Sequence, residues 1–278
     1  VERRRGRGGG QSCGLTQRAP HTVFFRQGYP SDRLELRDIR LSYGNTPVLN
    51  GVDLTVQRGD VVSIIGPSGT GKTTLLKCIN HLVKPSSGTI AFDDLRMDYR
   101  RVDKTVVQAI RRRTAMVFQQ FNVFKNMTVL RNVMDPLIVV QRKSEAEARA
   151  IALAELERVG LSDKLASYPS QLSGGQLQRT GIARALAVRP DVMLFDQPTS
   201  SLDPELVGEV LKVIRDVTSS GITSLLVTHE MQFARSVSNR IVFMDQGVIA
   251  ADASPAEIFD TTANPRLSQF LRSENATV

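Results

Sequence analysis

Apolar and polar residues alternate through "RLELRDIRLSYG", where Leu34, Leu36, Ile39 and Leu41 mark a half-exposed strand. "GVDLTV" repeats the pattern. "DVVSIIG" does not alternate, and reads as a strand buried on both faces of a parallel sheet. Further strands are predicted in "TIAFDD", "TAMVFQ", "VMLFDQ", "TSLLVTHE", "RIVFMDQ" and "VIAADA", most of them separated by helical stretches. This alternation of β and α elements predicts an α/β fold, a sheet sandwiched between helices. The rhythm breaks between about 122 and 172, where the pattern is helical without a strand. There Ser144 and Glu147 form a capping box for "SEAEARAIALAELERVG", and Gly160 closes it. A helical subdomain inserted in the sheet is the expectation. No internal repeat is visible, so the chain reads as one module with one insertion. Short closing helices are expected over 255–273, with Pro255 in a first turn after Ser254.

Charge divides the chain. Residues 1–33 hold seven Arg against Glu2 and Asp32, which is +5 of the net +8. "RRRGRGGGQSCG" has almost no apolar residue and reads as a disordered basic arm; an arm that touches acidic lipid or RNA is the alternative. It lacks the apolar region of a secretory signal. The folded module is expected over 34–273, with 274–278 as a tail. Because the arm carries most of the charge, no nucleic-acid partner is expected for the folded body. No window approaches the about 18 consecutive apolar residues of a membrane span, so any membrane role passes through a partner. Cys13 and Cys78 lie far apart and make neither a metal motif nor a disulfide framework, which fits a reducing cytosol.

The chemistry begins at "GPSGTGKTT", the residues Gly66, Pro67, Ser68, Gly69, Thr70, Gly71, Lys72, Thr73 and Thr74. It stands between the buried strand "VVSII" and the apolar helix "TTLLKCIN", the context that a Walker A phosphate loop requires. Glycines let backbone N–H groups curl around a phosphate, and the helix start adds partial positive charge. Lys72 would set an ammonium on the β/γ-phosphates and Thr73 a hydroxyl on Mg²⁺. Asp196 ends the apolar strand "VMLFD" and exposes a carboxylate at the sheet's C-terminal edge, where ligands of open α/β folds sit. It can hold Mg²⁺ through water; a strand-end helix cap is the alternative, weak beside a Walker A loop. ATP and Mg²⁺ are the expected cofactors.

"LSGGQLQR", residues 172–179, is a second glycine-bared helix start: Ser173 caps it, Gln176 completes a capping box, and Gly174 and Gly175 expose it. Together with the Walker motifs it resembles the signature of ATP-binding cassette (ABC) proteins. The resemblance implies a P-loop NTPase core of ABC type: a mainly parallel sheet with flanking helices, an antiparallel β subdomain and the inserted helical subdomain. It also implies a head-to-tail dimer, with itself or a related cassette, in which one signature closes on ATP held by the other chain. Tyr43 in "LSYG" matches the aromatic that stacks on adenine. Gln119 in "MVFQQF" matches the glutamine that reaches Mg²⁺ and the attacking water, with Gln120 one residue away as the ambiguity. Ser201, Leu202 and Asp203 match the loop that crosses the dimer interface, and His229 the histidine that contacts the γ-phosphate. Read alone, His229 is a satisfied strand-end histidine.

"MVFQQFNVFKNMTVLRNV", "LDPELVGEVLKVIRDV" and "VTHEMQFARSVSNRIVFMDQGVI" are similar to the ATP-binding subunits of bacterial polar-amino-acid importers. That similarity implies a peripheral protein on the cytoplasmic face of the membrane, partnered by permease subunits and, through them, a solute-binding protein. One position departs from the family. Gln197 stands where the family has Glu, and an amide can orient a water but cannot usefully accept its proton. Loss of a general base costs ~10²–10⁴ in rate, so a slow ATPase with a persistent ATP-bound dimer is expected. An ATP-gated dimerisation or regulatory cassette with little turnover is the alternative. Ser201 replaces a common Ala, and Gly181 interrupts the signature helix at up to ~1 kcal/mol.

Overall fold

The computed structural model describes residues 32–275; the expected arm, apart from its last two residues, and residues 276–278 lie outside them. The chain runs β1 (Asp32–Tyr43), β2 (Thr46–Gln57), β3 (Val61–Ile65), α1 (Lys72–Ile79), β4 (Ser87–Phe92), β5 (Leu95–Asp98), α2 (Lys104–Arg113) and β6 (Thr114–Val117). Helices α3 (Val129–Val139) and α4 (Glu145–Arg158), a 3₁₀ turn at Pro169–Gln171 and α5 (Gly174–Ala187) follow without an intervening strand. The rest is β7 (Val192–Asp196), α6 (Pro204–Thr218), β8 (Thr223–Val227), α7 (Met231–Val237), β9 (Arg240–Asp245), β10 (Val248–Ala253), α8 (Pro255–Phe259) and α9 (Pro265–Asn275).

Two sheets form. One is antiparallel, in the order β2-β1-β4-β5. The other has the order β10-β9-β3-β8-β7-β6, parallel throughout except for the antiparallel edge strand β10. The unbroken apolar runs of β3, β7 and β8 are explained by this placement, since all five residues of each are buried. Val62, Ile64, Leu194, Leu225 and Val242 face α1 and the antiparallel sheet in one core. Met193, Phe195 and Leu226 face α3 to α6 in a second, and Ile65, Ile241 and Phe243 face α7 to α9 in a third.

An ion cluster ties the sheets together at their edge. Asp93, in the turn between β4 and β5, accepts from Arg33 Nη1 at 2.7 Å and Arg58 Nη2 at 2.6 Å. Arg113, at the end of α2, reaches Asp94 at 2.9 Å, and Arg33 lies 3.5 Å from Asp191 just before β7. Arg111 donates to the carbonyls of Asn80 and His81 at 3.0 and 2.7 Å, capping the end of α1. Two of the three arginines at 111–113 are therefore fastened to the fold.

Three details differ from the pattern of the sequence. β5 is a four-residue strand after a turn at Asp93–Asp94, too short to show a period. β2 begins at Thr46, well ahead of "GVDLTV". α9 continues through Asn275, so residues 274 and 275 belong to a helix rather than to a tail.

Both halves of the capping box at Ser144 and Glu147 are present, and the Glu147 carboxyl is held below its usual range, first by the Ser144 hydroxyl. A carboxyl lowered on folding stabilises above its unfolded value and loses that contribution as pH falls through its folded one. Ser144→Ala is expected to lower the urea midpoint at neutral pH. The gap from the parent should narrow in acid, as Glu147 protonates in both proteins.

Candidate functional site

The phosphate loop fills the turn from β3 into α1 and is pressed from both sides. A side chain at Gly66, whose φ is 142°, would place its Cβ 2.1 Å from the Met244 carbonyl of β9. One at Gly71, φ 96°, would meet the Val48 carbonyl of β2 at 2.8 Å. Only glycine satisfies both the close approach and the left-handed backbone. Gly71 also caps α1 without a side-chain hydrogen bond, and the first turn holds no acid, so its N–H groups keep their partial positive charge.

Around that helix start lies a cavity of about 300 Å³ lined by Val48, Ser68, Gly69, Gly71, Lys72, Thr73, Thr74 and Gln197. Lys72 is buried, and its ammonium donates to the carbonyls of Gly66 at 2.6 Å and Pro67 at 2.7 Å. Burial lowers its pKa from the ordinary lysine value, opposed by the nearby charges of Glu274 and Asp196. Thr70 donates to the Pro67 carbonyl at 2.9 Å, closing the loop on itself. Thr73 Oγ1 donates to Asp196 Oδ1 at 2.5 Å, and Lys77 Nζ stands 4.0 Å from Asp196 Oδ2. Thus β3 and β7, which flank β8, bring hydroxyl and carboxylate together at the C-terminal edge of the sheet. These oxygens are the donor types a hard divalent cation takes beside phosphate and water.

Gln197 opens into the cavity from a left-handed backbone, φ 48°, with its N–H on the Val227 carbonyl at 2.9 Å. Such a backbone costs a non-glycine residue roughly 1–2 kcal/mol, a strain typical of functional sites. Its Oε1 lies 3.5 Å from the Ser200 hydroxyl. His229 lies two residues past β8, with Nδ1 3.8 Å from Glu274 Oε2.

The family model described as ABC transporter matches residues 49–200. The chain belongs to the ABC transporter family. It is 52% identical over 239 residues to the L-cystine import ATP-binding protein TcyN of Bacillus subtilis (strain 168), covering 86% of this chain and 92% of that protein. It is 50% identical over 252 residues to the octopine permease ATP-binding protein P of Agrobacterium tumefaciens (strain Ach5), covering 88% and 96%. Among solved structures it resembles a dimeric ATP-binding cassette in a post-hydrolysis state bound to ADP and Pi, with TM-score 0.70 and 35% identity over 80% of this chain and 98% of that one. A cassette of the cbiONQ transporter complex of Clostridium perfringens matches with TM-score 0.74 and 27% identity over 89% and 99%.

The other sequence-predicted residues of this ABC chain lie outside the cavity. Ser173, Gly174, Gly175 and Gln176 start α5, where the Ser173 hydroxyl accepts from the Gln176 N–H and the Gln176 side chain accepts from the Ser173 N–H. That start packs near Leu202 and Leu206, and Asp203 is exposed at the head of α6 with no side-chain cap bond. Tyr43 is 56% exposed at the end of β1, opposite Thr46. Gln119 is exposed two residues past β6 and is not joined to Thr73 and Asp196. Gly181 has a packing reason that the sequence did not show: a Cβ there would come 3.3 Å from the Phe121 carbonyl.

Val48, Lys77 and Glu274 were missed. Val48 and Lys77 carry no motif of their own, and Glu274 reaches the site only through the seating of α9. Gly66→Ala is expected to cost more than about 3 kcal/mol of stability, read by equilibrium unfolding, because neither loop nor β9 backbone can retreat cheaply. A loss below about 1 kcal/mol would mean that the loop is not held as described.

Proposed function

We propose that the chain is the ATP-binding, ATP-hydrolysing subunit of an importer for polar amino acids. It would work as a head-to-tail dimer on the cytoplasmic face of a bacterial membrane, under permease subunits fed by a solute-binding protein. The observation that carries the reading is the cavity in which Lys72 and Thr73, the latter bonded to Asp196, meet the uncapped start of α1. The substrate class is supported by relatives named for L-cystine import and octopine permease. No helix among the described residues is long and apolar enough to cross a membrane.

In this reading Lys72 exchanges two backbone carbonyls for phosphate oxygens, and the loop N–H groups hold the rest of the phosphate chain. Mg²⁺, held through Thr73 and Asp196, would neutralise charge on the transferring phosphate. Tyr43 would stack on adenine, His229 would contact the γ-phosphate, and Gln119 would help to hold the metal and orient the water. Ser173 to Gln176 lie away from the cavity of their own chain, which supports their use against the nucleotide of the opposite subunit, with Asp203 at that interface. The permease would seat in the groove of about 410 Å³ between α3, α5 and the loop after β6, where Val139, Val140 and Phe124 are 52%, 58% and 44% exposed.

Gln197 favours a second reading, an ATP-gated dimerisation cassette with little turnover. Both readings meet in one experiment: Mg-ATP turnover and sizing in ATP, for the parent and for Gln197→Glu. The importer reading expects a rise of ~10²–10⁴ in the variant while the parent persists as an ATP-bound dimer. Equal turnover would show that another group supplies the base. ATP-dependent dimers without turnover in either protein would favour the dimerisation cassette.

A further inference from the structure

α9 is seated by its apolar side. Leu267, Phe270 and Leu271 are buried in the third core with Ile65, Ile241 and Phe243, and the Phe270 and Phe243 ring centroids lie 5.5 Å apart. Arg266 adds an ion pair to Asp245 at 3.0 Å. Ile65 is the residue before Gly66, so this seat runs the helix beside the base of the phosphate loop. Its last turn carries Glu274, whose Oε2 stands 3.8 Å from His229 Nδ1. A carboxylate therefore faces a side chain assigned above to the terminal phosphate. A triphosphate is a polyanion, and two like charges at one site disfavour each other.

We propose that Glu274 is a further residue of the nucleotide site, an internal carboxylate that stands against His229 until the terminal phosphate of a nucleotide displaces it. The inference rests on the nucleotide-binding reading above. Displacement needs little rearrangement, because the buried anchors of α9 end at Leu271. The competition is confined to ligands that carry phosphates and is strongest for those that reach His229. Glu274 and His229 are 29% and 33% exposed, so water weakens the contact, and the effect on affinity is about three- to tenfold.

The test is calorimetric binding of the non-hydrolysable ATP analogue AMP-PNP, of ADP and of adenosine to the full chain, with Mg²⁺, for the parent, Glu274→Gln and Glu274→Ala. Both variants are expected to bind AMP-PNP about three- to tenfold tighter, ADP with a smaller gain, and adenosine unchanged. Unchanged or weaker AMP-PNP binding would overturn the inference, as would an equal gain for adenosine. Binding that is indifferent to residue 274 overturns this inference alone. Absence of AMP-PNP binding by every protein overturns the nucleotide reading and this inference with it.

Discussion

The geometry of the site depends on backbone packed against backbone. Gly66 lies under the Met244 carbonyl and Gly71 under the Val48 carbonyl, so the phosphate loop is gripped by a strand from each sheet. The grip is reinforced where β2 meets the β9–β10 turn. There Asn50 donates its N–H to the Gly247 carbonyl at 2.9 Å and its side-chain amide to the Gln246 carbonyl at 2.8 Å. A loop held in this way keeps its N–H groups aimed before any ligand arrives, so little ordering cost remains to be met on binding. The antiparallel sheet is thus more than a cover for one core, since it forms one wall of the cavity through Val48.

The sheet order does the rest of the positioning. With β8 between β3 and β7, the residues after these strands emerge side by side at one edge. The helical region joins this edge through the segment after β6. Gln178 of α5 donates to the Phe118 carbonyl at 3.0 Å, and Gly181 admits the Phe121 carbonyl against the same helix. A shift of the segment that carries Gln119 must therefore either move α5 or break this partly buried hydrogen bond.

What the sequence revealed is what local chemistry dictates. The buried strands declared themselves because both faces are covered, which removes the polar half of the pattern. The phosphate loop, Asp196 and the serine caps could be read because each works through residues within a few positions of one another. β5 escaped because four residues cannot show a period, and α9 outran its expected end because its apolar residues stop at Leu271 while the helix does not. Val48 and Glu274 could not be found locally. One is placed by the pairing of β1 with β2, the other by the packing of α9 on β3 and β9. The separation of Gln119 and of the α5 start from the cavity is likewise a property of the folded chain.

Three described α-helices, α4, α5 and α8, begin with both halves of a capping box. In α4 and α8 the returning side chain is a glutamate, Glu147 or Glu257; in α5 it is Gln176. The hydrogen bonds are the same, but the charge is not. A carboxylate cap partly cancels the positive end of its helix and repels any incoming anion, whereas an amide cap satisfies the same N–H and leaves the field intact. α5 thus has a start that is capped at both ends of its box yet electrically unspent.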